Sequence, residues 1–149
     1  MTRKPGKVQR LVRLNEFREE QAGLAMQQRL GEAREAEKVH ADAKQAAERV
    51  GESKTQAQAD GRLDLARYQA ALGLEHRALE HAESLRAEHA ACETRSDAAR
   101  QDWSNAASAT RVSDQRARRE RAALSTFLEK KDFDHLSDLL LTRLERTDD

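Results

Sequence analysis

The side chains best suited to holding a metal are five histidines and one cysteine. His89 and Cys92 stand three residues apart, and His81 lies two turns earlier, a spacing that aligns donors along one helix. A structural zinc ion takes four such ligands. With one cysteine, and with Glu88 and Glu93 reading as ordinary helix-surface acids, that set falls short. The expectation is no metal, with these histidines facing solvent or edging a helix seam. Nor does the chain carry a glycine-rich phosphate loop, a nucleophile elbow or an acid pair around a pocket. No enzymatic activity and no cofactor are expected.

The basic residues are more informative. Arg3, Lys4, Lys7, Arg10 and Arg13 precede the first acid of the chain, Glu16. Later, "RARRER" places Arg116, Arg118, Arg119 and Arg121 around one Glu120. Such clusters serve nucleic acid or a negatively charged protein surface equally. The absence of interleaved aromatics and of a nucleic-acid motif favours the protein surface, so no nucleic acid is expected. A solvated helix face balanced by nearby glutamates is the plainer alternative.

Helix must position these charges. Of 149 residues 36% are charged and 3% aromatic, 26 are alanine, and isoleucine is absent. A β-rich core needs the branched and aromatic side chains that are missing here. The only proline, Pro5, stands near the start, so nothing after it forbids helix. Ala, Leu, Glu, Arg, Lys and Gln dominate, the composition of long helices and coiled coils. The apolar runs are far too short to span a membrane, and the first residues lack the apolar stretch of a secretory signal. With a single cysteine, this points to a soluble cytoplasmic protein.

The pattern predicts an all-α fold of two long helices in one antiparallel coiled-coil hairpin. Helix one is expected over about 4–56, the turn over about 57–62 near Gly61, and helix two over about 63–145. Val8, Val12, Asn15, Ala22, Met26, Ala33, Ala36, Ala43, Ala47 and Val50 form a three-four stripe. Gly23, Gly31 and Gly51 weaken helix one by about 1 kcal/mol each relative to alanine. In helix two, Leu65, Leu72 and Leu79 repeat every seven residues with Tyr68 and Ala82 beside them. The stripe then drifts to Leu85, Cys92, Ala99 and Ala106, and on to Trp103, Thr110, Ala117 and Leu124, as stutters would make it. A bend near Gln58 sets residue i beside 117 − i. That register puts Phe17 opposite the Ala99–Trp103 region, Leu30 opposite Ala87, and both basic clusters at one end. A parallel dimer of one continuous helix is the rival arrangement. Helix two outlasts helix one, and its tail carries Leu124, Phe127, Leu128, Phe133, Leu136, Leu139, Leu140 and Leu144, to be packed back or held for a partner.

The basic start, "LVRLNEFREEQAGLAMQQRLGEAREAE", a short break and "LARYQAALGLEHRALEHAE" together resemble the FliJ family of flagellar export proteins and the stalk proteins of virulence type III secretion. Trp103, the basic run from Arg111 to Arg121, and Glu129, Lys130, Lys131 with Asp134 match a tryptophan, basic stretch and Glu-Lys-Lys-x-x-Asp ending common there. The likeness covers roughly residues 7 to 140; the alanine-rich middle and the leucine cluster after Asp134 depart from it. The resemblance implies a non-enzymatic antiparallel stalk whose terminal end enters a hexameric export ATPase and stimulates it. It also implies contacts with the export gate's cytoplasmic domain and with substrate chaperones, and membrane association only through such partners. Carried over residue by residue, it gives the partner-binding set Lys7, Arg10, Arg13, Arg116, Arg118, Arg119 and Arg121, with Leu14 and Phe17 as further contacts. A nucleic-acid-associated basic helical protein and a self-associating scaffold coiled coil are the alternative readings.

Overall fold

The computed structural model describes residues 6–59 and 65–145. They form two helices, α1 (Lys7–Ala59) and α2 (Leu65–Glu145), which pack against each other as a helical hairpin. Arg3, Lys4, Gly61, Leu63 and the side chain of Leu144 lie outside what is described. No helix among the described residues is long and apolar enough to cross a membrane. The packing divides into two units, Glu20–Ser104 and Met1–Glu19 with Asn105–Asp149.

Isolated charged helices are marginal in water, so each must bury a stripe on its neighbour. In Glu20–Ser104, α1 turns inward Ala22, Met26, Ala33, Ala36, His40, Ala43, Ala47, Val50, Lys54 and Ala57. With Arg29 at the step between Met26 and Ala33, these fall at the alternating three- and four-residue steps of a heptad, and α1 runs unbroken through Gly23, Gly31 and Gly51. Its partner stripe on α2 is Tyr68, Ala71, Glu75, Ala78, Ala82, Leu85, His89, Cys92, Ser96 and Ala99. The other unit closes Val8, Val12, Asn15 and Glu19 against Ala106, Thr110, Ser113 and Ala117 by the same rule.

Two expectations are corrected. The stripe of α2 keeps one heptad through Tyr68, Glu75, Ala82, His89 and Ser96, with Leu85, Cys92 and Ala99 between them. It drifts only near Trp103, which is 39% exposed while Ala106 and Ala107 turn inward, before Thr110 and Ala117. Leu65, Leu72 and Leu79 form a second heptad offset by three, and they are 61%, 47% and 55% exposed. A seam of alanine and serine draws the helix axes close, which leaves the bulkier leucines on the flank. The register is also shifted. Asn15 donates from Nδ2 to the Ala109 carbonyl at 3.4 Å, where the 117 − i rule places Asp102. A methyl built on Gly23 would meet the Trp103 ring at 3.5 Å, where the rule places Thr94. Leu30 shares a cleft with Ser96, Asp97 and Arg100, well past Ala87. The cause is the bend: α1 continues to Ala59 and α2 starts only at Leu65, so every facing pair moves toward the C-terminus of α2.

Near the bend, Lys54 donates to Glu75 across the seam, as an ion pair with both side chains about one-fifth exposed. The hydrogen bond to Glu75 raises the Lys54 ammonium above the ordinary lysine range, against a smaller opposing effect of burial. A raised lysine contributes stability that is complete below its unfolded value and is lost as pH climbs through its folded value. Thermal melts of wild type and Lys54→Met should therefore differ at neutral pH and converge in strong alkali. A gap that is constant with pH would contradict this. Gly31 sits mid-helix, with nothing within 4 Å of a methyl built there. Gly31→Ala should therefore raise stability by about 1 kcal/mol in denaturant titration.

Candidate partner-binding surface

The surface of interest lies in the unit formed by the start of α1 and the later part of α2. Val8, Val12 and Asn15 close its seam against Thr110, Ser113 and Ala117, and Ser113 is only 3% exposed. Three polar groups in this seam are tied to backbone. Asn15 reaches Ala109, the Thr110 hydroxyl donates to Ala106 O at 3.1 Å, and the Ser113 hydroxyl donates to Thr110 O at 2.8 Å. Bonded in this way the buried polar groups offset their desolvation, and Asn15, whose bond crosses to the other helix, favours one register over its neighbours.

With the seam closed, the charges are forced outward. Lys7, Arg10 and Arg13 on α1 and Arg116, Arg118, Arg119 and Arg121 on α2 are all exposed. The structure brings Arg13 and Arg121 to one groove, with Gln9, Val12 and Glu16 completing its lining. Arg121 also edges an adjoining notch of about 340 Å³, whose lining includes the apolar side chains Val8, Ala117 and Leu124. Arg116 Nε lies 3.6 Å from Glu120 Oε1, an exposed pair that contributes little to stability. Residues 6–19 and 105–121 together hold nine Lys or Arg against four Asp or Glu, although the whole chain is neutral. What the arrangement offers is Arg13 and Arg121, drawn from two distant segments, in one groove beside a small notch that Arg121 and Glu120 also edge. It suits an acidic surface with an apolar knob.

Leu14 and Phe17 stand apart from this. At 44% and 55% exposed, they point away from the seam on the outer side of α1. In the other unit, His89 stacks on His40 across the seam with ring centroids 6.2 Å apart. Stacked rings aim their nitrogens in parallel, so they do not converge on one ion. Cys92 receives the Arg95 guanidinium at 3.3 Å, and His81 is exposed. Among the described residues no group of three or more His, Cys, Asp or Glu is placed to hold a metal. The sequence reading missed the His40–His89 pair and the inward Glu75, because titratable side chains were not counted into the stripes. Their heptad spacing from Ala36 and Ala82 was the available signal.

The chain matches no family model, no curated protein and no solved structure.

Because Leu14 and Phe17 lie outside the seam, Leu14→Ser and Phe17→Ser should each leave the melting transition within about 0.5 kcal/mol of wild type. A loss of several kcal/mol in denaturant titration would place these side chains in a core instead.

Proposed function

We propose that this chain is a non-enzymatic coiled-coil stalk of a flagellar or virulence type III protein export apparatus. On this reading, its cationic surface engages the hexameric export ATPase and stimulates it. The stalk links the ring to the export gate's cytoplasmic domain and to substrate chaperones, on the cytoplasmic side of the inner membrane. One observation carries the reading: Arg13 of α1 and Arg121 of α2, 108 positions apart in sequence, line a single groove. The antiparallel packing that this requires is the architecture implied by the family resemblance. Exposed arginines next to an apolar notch also fit a role performed by contact rather than by catalysis.

The test is charge reversal where no packing is disturbed. Arg116→Glu, Arg118→Glu and Arg119→Glu together should remove stimulation of the cognate ATPase while circular dichroism stays that of wild type. Full stimulation by the triple variant would end the proposal. Retention of duplex DNA with a steep salt dependence would favour the nucleic-acid reading in its place.

A further inference from the structure

We infer that His40 and His89 form a proton-sensitive latch in the seam of Glu20–Ser104. Neutral rings stack and hold this layer closed, and charging both rings loosens it. Of the five histidines, His76, His81 and His135 are exposed, and only these two turn inward. Their rings stack across the seam with centroids 6.2 Å apart and planes inclined by 15°. The His89 side chain is 20% exposed. Imidazole is the side chain whose charge ordinarily changes between pH 5 and 8, so mild acid acts here on the seam itself.

The layers beside the pair offer no counter-charge. Ala36 and Ala43 adjoin His40 in the stripe of α1, and Leu85 and the Cys92 thiol adjoin His89 in that of α2. Charged groups stand at the edges. Arg34 and Glu37 of α1 share a cleft with His89, together with Glu93, Asp97 and Arg100 of α2. Lys44 and Arg86 follow on the same flank by heptad position, and Glu88 and Arg95 edge the other. Glu93 Oε1 lies 3.9 Å from His89 Nε2, close enough to support one imidazolium. Asp97 is already paired with Arg100 at 3.3 Å. Four acids thus stand among five bases, which leaves no surplus of negative charge for a second imidazolium. That second charge repels the first across the seam.

The two rings titrate as a pair, since one proton opposes the next. In the unfolded chain both histidines charge independently, at about pH 6.5. The stacked pair accepts one proton and resists the other. Below about pH 6.5 the unfolded state therefore binds more protons, so stability falls as pH falls. A difference of one proton changes the opening equilibrium by up to about tenfold per pH unit. None of the residues proposed to meet the ATPase takes part, so the inference stands independently of the export reading.

Hydrogen exchange of the full chain, followed by mass spectrometry between pH 7.5 and 5.5, tests it. Corrected for the intrinsic exchange rate, protection over residues 36–47 and 85–96 should fall about tenfold in wild type on acidification. His40→Leu and His89→Leu should each abolish that fall, because the remaining ring charges with no cation opposite. The three exposed histidines are the same in every variant, so they cancel from the comparison. Should a leucine variant lose helicity by circular dichroism, His40→Gln and His89→Gln serve in its place. Protection that is constant or rises in acid overturns the inference. So do single variants that each remove only half of the fall, which is the signature of two independent histidines.

Discussion

The structure rests on how little volume its seam contains. The buried apolar residues are Ala33, Ala47, Ala82, Ala107 and Ala117, and the most buried polar residues are Ser96 and Ser113. No single layer of such a seam contributes what a leucine layer would, since burial energy scales with apolar area. Stability must instead accumulate over many layers, which heptad packing along long helices provides. Small side chains also let backbones approach closely, and close approach is what lets Asn15 reach a main-chain carbonyl of the facing helix. The cost of that choice is displacement. Leu65, Leu72, Leu79, Phe17 and Leu24 cannot enter, and they stand on the surface.

How much of this could be read from the sequence follows from the same property. The all-helical fold was legible because the chain lacks the branched and aromatic residues of strands and meets no proline after Pro5. The stripe of α1 was legible as well: Val8, Val12, Met26 and Val50 are its largest members, and they sit in the seam. In α2 the logic inverted. The eye follows Leu65, Leu72 and Leu79, whereas the seam follows Ala71, Ala78 and Ala82. Residue size misled because burial here selects for fit rather than for hydrophobicity. The register erred for a separate reason. The turn was read from Ala57 onward, yet α1 continues to Ala59, as the good helix formers Ala57, Gln58 and Ala59 allow.

The charge distribution is a second consequence of closure. Averaged over the chain, acids and bases cancel. Heptad packing sorts them, because residues such as Arg10, Arg13, Arg116 and Arg121 fall between seam positions and must face outward. Two runs that the sequence separates by about a hundred positions thus lie in one unit, with only Glu16, Glu19, Asp114 and Glu120 as acids in the same segments, and Arg13 and Arg121 share a groove. Their side chains could be picked out in advance. Which of them would share a groove, namely Arg13 and Arg121, could not, since that depends on the bend and its register.

The unequal helices show where the intramolecular packing stops. α1 has 53 residues and α2 has 81, so the last part of α2 must be satisfied without α1. The sequence changes character at that point. Apolar residues leave the seam positions after Phe127, Lys131, Asp134 and Asp138 take them, and a fresh stripe begins on another face at Phe133. A tail intended only to extend the hairpin seam would keep its apolar residues in phase with Ala117 and Leu124. One intended only for solvent would not carry Phe133, Leu136, Leu139 and Leu140 at all, given the aggregation risk of such a patch. The change of phase therefore leaves Phe133, Leu136, Leu139 and Leu140 exposed, outside the alanine seam that excludes large side chains.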